Sequence, residues 1–136
     1  IKENDLASMG DIDDGNEKKI AEFIQSLDPN QLESFIEIEV RTEKEAITAA
    51  AIWQQSHEDV DTKLVVMLDN FGPERCKEMV TQLEDMGLRS AVLLEASGNI
   101  TFETLDNWFE CGVDVISTSA INRGVKPLDI SMIIGD

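Results

Sequence analysis

The sequence has little positive charge. Its 11 lysine and arginine residues are outnumbered by 28 aspartate and glutamate residues, which gives a formal net charge of −17 at pH 7. Phosphate backbones and anionic lipids repel so acidic a chain, and nucleic acid and anionic membrane surfaces are therefore excluded as general partners. A well-solvated acidic surface, a saline environment and a basic partner protein are all compatible with this charge.

Cysteine, histidine and long apolar runs are also scarce. Cys76 and Cys111 have no partners at metal-ligand spacing, and we interpret them as free thiols of a reducing compartment, either the cytoplasm or an organelle stroma or matrix. The only histidine, His57, lies in a polar stretch from Gln54 to Thr62 that predicts a loop, and we expect it to be exposed and without a catalytic role. No apolar run reaches the roughly 20 residues of a membrane-spanning helix.

The composition is that of a globular chain. Of 136 residues, 42% are hydrophobic and 29% are charged, which is enough to bury a core. The chain begins with Ile1 rather than methionine, and Ile1–Asp5 has the pattern of a strand end. We therefore expect residues 1–136 to be one portion of a domain whose amino-terminal part is missing, and to be unstable or oligomeric when isolated.

Predicted strands and helices alternate along the sequence, roughly every 20 to 30 residues, as βα units do. This alternation predicts parallel strands with helices outside, either as part of a barrel or as an open doubly wound sheet. The capping pattern Thr42–Glu45 begins one helix, Gly72 and Pro73 begin another, and Asp13 or Asp14 is the expected cap of the first. After the initial strand end, the predicted strands are Phe35–Val40, Leu64–Leu68, Ala91–Leu94, Val113–Ser117 and Leu128–Ile134.

Polar residues lie where these strands end, and the carboxyl ends of parallel strands meet at one edge. Carboxylates suit a divalent cation or sugar hydroxyls, and cations suit phosphates, so the pattern predicts a phosphorylated sugar bound with Mg²⁺. The alternatives are a solvent-exposed edge strand for Glu37 and Glu39, and a turn cap for Asp69. The strand-end residues are Lys2, Glu37, Glu39, Asp69, Glu95 and Ser117, with Arg123 and Lys126 nearby.

A small flexible turn follows one apolar run and its terminal Glu95. Ser97 and Gly98 allow backbone N–H groups to approach an anion, and Thr101 is placed to cap a helix that ends at Gly112, whose N-terminus would favour negative charge. An ordinary strand-to-helix turn is the alternative interpretation of this segment.

Six short segments in this order resemble the quinolinate phosphoribosyltransferase family. The resemblance covers nearly the whole chain, and its specificity lies in the ordered set rather than in any one motif. The segments are Ile1–Asn4, Ile36–Val40, Met67–Asn70, Leu94–Thr101, Gly112–Ser117 and Leu128–Ser131.

The resemblance implies part of a parallel α/β barrel with its site at the carboxyl-terminal rim. It also implies transfer of phosphoribose from phosphoribosyl pyrophosphate to quinolinate, a pyridine carboxylate, with loss of CO₂, use of Mg²⁺ and formation of nicotinate mononucleotide. In this family Lys2 would meet a substrate carboxylate or pyrophosphate. Glu39 and Asp69 would hold ribose hydroxyls and, through pyrophosphate, the metal ion.

The remaining residues that the resemblance implies are substrate-binding. Ser97 and Gly98 would bind the 5′-phosphate through backbone N–H groups. The full substrate-binding set is Glu37, Glu95, Ser97, Gly98, Asn99, Ser117 and Ser119.

The chain departs from the family pattern at three places. The arginine-rich part that grips the quinolinate carboxylates is not in this sequence, Asp5 replaces a histidine, and Ser119 replaces a glycine of the phosphate site. Two alternatives to the family reaction stay open: a catalytically inactive barrel module that serves as a subunit of a larger assembly, and a sister enzyme that uses nicotinate. We expect the chain alone to be inactive, and to form a homo-oligomer or a larger assembly.

Overall fold

The computed structural model of the chain describes residues 1–8, 15–28, 35–57 and 61–121. The predicted caps Asp13 and Asp14, the cations Arg123 and Lys126, and the predicted strand Leu128–Ile134 lie outside these residues. In the described part, the helices are α1 (Glu3–Ser8), α2 (Asn16–Ser26), α3 (Glu43–Ser56) and α4 (Pro73–Asp85), and the strands are β1 (Ile36–Val40), β2 (Leu64–Asp69), β3 (Val92–Ser97) and β4 (Val115–Ser117).

The four strands form one parallel sheet in the order β1-β2-β3-β4, so the predicted βα alternation is confirmed. Ile1 makes strand-like bonds on the outer side of β1: its backbone nitrogen donates to the Glu37 carbonyl at 2.7 Å, and its carbonyl accepts from the Glu39 N–H at 2.9 Å. The predicted strand end does not extend to Asp5. Asp5 instead accepts a hydrogen bond from the Lys2 N–H at 2.8 Å, at the start of α1.

The strand register gives the sheet two chemically different faces, because alternate residues of a strand point to opposite sides. On one face Ile38, Val66 and Leu94 are register partners, and each is fully buried in the core shared with the helices. The opposite face carries the polar residues. They are Glu37, Glu39, Asp69, Glu95, Ser97 and Ser117.

Local signals set the helix ends where the sequence predicts them. Thr42 and Glu45 form the predicted capping box at the start of α3. Pro73 is in the first turn of α4, and Gly87 follows that helix at φ +70°, a left-handed conformation that suits glycine. The loop expected from Gln54 is wrong at its start, because α3 continues to Ser56.

Glu45 stabilises the junction of β1 and α3. Its buried carboxylate accepts from the Arg41 N–H at 2.7 Å and the Thr42 N–H at 3.3 Å, and from the Asn16 side chain at 3.1 Å. We expect Glu45→Ala to lower the free energy of unfolding by about 2 kcal/mol, because it removes the carboxylate that accepts these three hydrogen bonds at the start of α3. Urea unfolding would measure this loss against Glu84→Ala, an exposed glutamate of α4. Equal losses in the two variants would contradict it.

The segment after β3 differs from the prediction. Strand β3 begins at Val92, after a 3₁₀ turn at Arg89–Ala91, and it runs through Glu95 to Ser97. The predicted helix from Thr101 to Gly112 is wrong; this stretch contains turns and a 3₁₀ helix, Leu105–Trp108. The Thr104 hydroxyl accepts from the Thr101 N–H at 3.0 Å, and such a side-chain bond competes with helix formation.

The start of β4 is also later than predicted. The carboxylate of Asp114 accepts from the Leu94 N–H and from Arg89 Nη2, both at 2.8 Å. This side chain therefore takes the place of a backbone partner of β3, and the strand begins only at Val115.

His57 is buried, which contradicts the expected exposure. It caps the end of α3, its ring stacks on Trp53 at a centroid distance of 4.4 Å, and its Nε2 lies 3.3 Å from the Leu27 carbonyl oxygen. Both cysteines are free and buried, as predicted, and burial raises the pKa of the Cys76 thiol to about 12. None of the described helices has the length and apolar character to cross a membrane.

Candidate functional site

The polar face of the sheet brings predicted site residues together at the carboxyl ends of the strands. Asp69, Ser97 and Ser117 are register partners in one row across β2, β3 and β4. Glu39 and Glu95 lie in the next row towards the amino ends, with one β2 residue between them. Because the strands are parallel, these side chains share one end of the sheet, where α/β proteins bind ligands.

Two cations contact the carboxylates of this rim. Lys2 Nζ lies 3.8 Å from Glu39 Oε2, and Arg41 Nη2 lies 3.5 Å from Glu39 Oε1. Arg41 Nε also lies 3.5 Å from Asp69 Oδ2, so it bridges β1 and β2. The Lys2 side chain is 72% exposed, whereas those of Glu39 and Asp69 are 12% and 19% exposed. The carboxylates are therefore shielded, and the lysine is accessible to an anion.

Arg41 is a rim residue that the sequence analysis did not identify. It directly follows β1 and lies two positions after Glu39, so an extended backbone places both side chains on one face. Thr42, the next residue, is still extended at φ −130°. The alternation of Glu37 and Glu39 could therefore have been extended by two residues to Arg41, which would have predicted that Arg41 lies on the same face.

Glu37 lies on the polar face one row nearer the amino ends of the strands than Glu39. Burial raises the pKa of its carboxyl group above the usual range, and the negative charges of Glu95 and, more weakly, Glu39 act in the same direction. The positive charge of Lys2 acts in the opposite direction. A raised pKa in the folded state means that protonation of Glu37 favours folding. This contribution is complete below the unfolded pKa and is lost as pH rises through the folded pKa.

We expect Glu95→Gln to lower the pKa of Glu37 towards its ordinary value, because the variant removes the like charge that raises this pKa most. Titration of the glutamate carboxyl carbons by NMR would measure the change. Glu110→Gln, on an exposed turn, is the control. An identical Glu37 titration in wild type and Glu95→Gln would show that these two side chains do not interact.

The turn after β3 has the unusual backbone that the sequence suggested. Gly98 has φ +104° and Asn99 has φ +54°, both in the left-handed region. A Cβ atom on residue 98 would lie 2.3 Å from Asn70 Oδ1, so only glycine fits. The N–H of Asn70 donates to the Ser97 carbonyl at 2.8 Å, which ties this turn to the end of β2.

An open cavity of about 1040 Å³ lies beside this turn. Five of the predicted substrate-binding residues line this cavity: Ser97, Gly98, Asn99, Ser117 and Ser119. The α-helix N-terminus expected here does not exist, because Thr101 leads into turns. Any anion in this cavity would therefore depend on turn N–H groups and hydroxyls rather than on a helix dipole.

Among residues 1–8, 15–28, 35–57 and 61–121, no group of three or more His, Cys, Asp or Glu side chains is placed to hold a metal ion. Glu39 and Asp69 are shielded carboxylates of this rim and could supply oxygen ligands to a metal ion.

Parallel βα units with a polar rim beyond the strand ends define an α/β protein that binds ligands at the carboxyl ends of its strands. Comparison with known proteins identifies the family. Residues 1–133 match the family model described as quinolinate phosphoribosyl transferase, C-terminal domain. The chain therefore belongs to the quinolinate phosphoribosyltransferase family, and its sheet is part of an α/β barrel rather than an open doubly wound sheet.

Individual relatives agree with the family model. A probable nicotinate-nucleotide pyrophosphorylase (carboxylating) of Methanothermobacter thermautotrophicus is 31% identical over 97% of this chain and 42% of its own length. The mitochondrial quinolinate phosphoribosyltransferase (decarboxylating) 2b of Nicotiana tabacum is 32% identical, over 97% and 37%. The solved structure of the nicotinate-nucleotide pyrophosphorylase from Francisella tularensis has a TM-score of 0.64 and 30% identity, over 93% and 37%. The chain thus spans about two fifths of the length of these relatives.

Proposed function

We propose that the protein to which this chain belongs transfers phosphoribose from phosphoribosyl pyrophosphate to quinolinate. The quinolinate ring nitrogen bonds to C1 of the ribose as the bond from that carbon to pyrophosphate breaks. One ring carboxylate leaves as CO₂ and a proton takes its place, which yields nicotinate mononucleotide. The observation that carries the proposal is the shared end of the sheet, where the Gly98 turn and the Glu39–Asp69 carboxylates lie together.

The rim residues have roles that follow from their chemistry. Glu39 and Asp69 would accept hydrogen bonds from ribose hydroxyls and stabilise the positive charge that develops on the sugar. The exposed Lys2 would meet pyrophosphate or a quinolinate carboxylate. Glu37 and Glu95 would line the inner part of the same site. Catalysis of this kind depends mainly on positioning and electrostatics.

The 5′-phosphate would occupy the cavity beside the Gly98 turn. The N–H groups of this turn would bind the phosphate, and the hydroxyls of Ser117 and Ser119 border the same space. Ser97 and Asn99 complete the turn.

We propose Mg²⁺ as the cofactor, brought in by pyrophosphate. Mg²⁺ is usually held by one or two carboxylates together with substrate phosphates, and Glu39 and Asp69 fit that donor set. When bound, the ion would neutralise the leaving pyrophosphate. Arg41, which contacts both carboxylates, would have to share them with the metal ion.

The test is calorimetric titration with nicotinate mononucleotide in the presence of Mg²⁺, using this chain and the longest natural form of the protein. We expect saturable binding that Ser97→Trp abolishes, because the indole would fill the cavity. Ser90→Trp is the matched control, since Ser90 is exposed just before β3, at the opposite end of that strand. Absence of binding by the full natural form would overturn the proposal.

The comparisons do not favour the inactive-module alternative, since the reported relatives are named as phosphoribosyltransferases or pyrophosphorylases. A nicotinate-using enzyme differs from the proposed one in its acceptor. Turnover of quinolinate, but not nicotinate, by the full natural form would support our proposal. The reverse preference would replace quinolinate with nicotinate.

Assembly and compartment are part of the proposal. We propose a homo-oligomer or larger assembly, supported by the exposed apolar side chains of Phe102, Phe109 and Ile121 in the segments before and after β4. We also propose a reducing compartment, which is the cytoplasm or the stroma or matrix of an organelle. The two free thiols support it, and one relative, from Nicotiana tabacum, is named as mitochondrial. Analytical ultracentrifugation and localisation of the tagged natural protein test these two statements. A monomer, or secretion of the protein, would contradict them.

A further inference from the structure

We propose that Asn70 is a positioning residue that sets the geometry of the Gly98 turn and aligns it with the Asp69 carboxylate. The inference rests on the proposed function for its ligand, but its structural content can be tested without one. Asn70 directly follows β2 and was not among the predicted site residues.

Three hydrogen bonds radiate from Asn70, each to a different part of the rim. Its N–H donates to the Ser97 carbonyl at 2.8 Å, its Nδ2 donates to Asp69 Oδ1 at 3.0 Å, and its Oδ1 accepts from Asn99 Nδ2 at 3.1 Å. The side chain donates one of its two hydrogen bonds and accepts the other. An amide satisfies both at once, whereas aspartate lacks the donor that faces Asp69.

The backbone of Asn70 is equally specific. Its φ of +56° is left-handed, a conformation that asparagine tolerates better than most residues. The conformation turns the side chain over residue 98, where a Cβ atom would lie 2.3 Å from Oδ1 and 2.7 Å from Cγ of Asn70. Asn70 and Gly98 are therefore fitted to each other.

Asn70 also stands in the wall between two cavities. It lines the large cavity beside Ser117 and a smaller one of about 300 Å³ beside Trp108. Because Asn70 is exposed, it adds little to the core, and its bonds act mainly on neighbouring rim groups. We therefore expect Asn70 to affect the orientation of the Gly98 turn and of the Asp69 carboxylate towards a shared ligand. We expect a smaller effect on the stability of the fold.

The ligand-independent test is a double-mutant cycle in thermal unfolding. Gly98→Ala should lower Tm in the wild type, and by clearly less in the Asn70→Gly background, because that background lacks the Oδ1 and Cγ atoms that a new Cβ atom would meet. Asn70→Gly alone should keep Tm close to the wild type, since glycine accepts φ +56°. Equal Tm losses in both backgrounds would overturn the fitted-pair inference.

The ligand test compares Asn70→Gly with Asn70→Ala, with nicotinate mononucleotide and Mg²⁺ as the probe. Glycine keeps the backbone conformation and alanine strains it, but both remove the side-chain bonds. If Asn70 acts through its side chain, both variants should weaken binding about fivefold or more, the equivalent of one hydrogen bond, whatever their Tm values. Wild-type affinity in Asn70→Gly would show that only the backbone conformation matters, and would overturn the proposal.

A failure of the proposed function would look different. If the wild-type protein does not bind the nucleotide, the proposed phosphoribosyltransferase function is wrong. The double-mutant cycle in thermal unfolding would still show whether Asn70 positions the turn. The Gly98 amide resonance gives a second ligand-free readout. It should shift in Asn70→Gly, and an unchanged resonance would contradict the coupling.

Discussion

Asp69→Ala is expected to weaken binding of nicotinate mononucleotide with Mg²⁺ by roughly tenfold to a hundredfold, while the fold is retained. Hydrogen bonds to a charged group contribute about 1.5–3 kcal/mol each, and tenfold in affinity corresponds to about 1.4 kcal/mol. The side chain lies at the end of β2, on the polar face, where its partners are Arg41 and Asn70. Its removal therefore opens no cavity in the core.

The matched control for this prediction is Asp85→Ala. Asp85 is an exposed aspartate at the end of α4, so the control changes net charge by the same amount without touching the rim. Calorimetry would give the affinities, and circular dichroism would show that each variant is folded. Glu39→Ala should behave like Asp69→Ala, because both carboxylates contact Arg41. Unchanged affinity in both rim variants would remove our assignment of the site.

Most of the sheet and of the rim could be predicted, because parallel strands impose simple rules. Period-two alternation identifies β1, a continuous apolar run identifies β2, and the residue after such a run lies at the carboxyl end. Glu39, Asp69 and Ser97 are therefore identifiable without a structure. The order of the strands follows from the preference of consecutive βα units to be neighbours.

The features that the sequence did not predict have a different origin, since they depend on contacts between segments that are distant in sequence. His57 is buried because it stacks on Trp53 and reaches Leu27, thirty positions earlier. Asn70 and Gly98 are fitted together across two strand ends, which no local pattern reveals. The absent helix after Thr101 shows the opposite case, in which an apolar spacing suggested a helix and local side-chain bonds opposed it.

Leu94→Ala should cause the largest loss of stability among the predicted variants, about 2–5 kcal/mol in the free energy of unfolding. Leu94 is fully buried in β3, between β2 and β4, and its register partner in β2 is the equally buried Val66. Alanine there would leave a cavity that the rigid strands on both sides cannot fill. Urea unfolding would measure the loss.

Leu93→Ala is the matched control, because it removes the same atoms one position away. Leu93 points to the polar face and is only half-buried, so its loss of stability should be clearly smaller than that of Leu94→Ala. The comparison tests the register on which the candidate site depends, since a slip of one residue would exchange the two faces and move Glu95 into the core. If Leu93→Ala were the more destabilising variant, the carboxylates assigned to the rim would lie against the helices, and both the site and the proposed reaction would have to be abandoned.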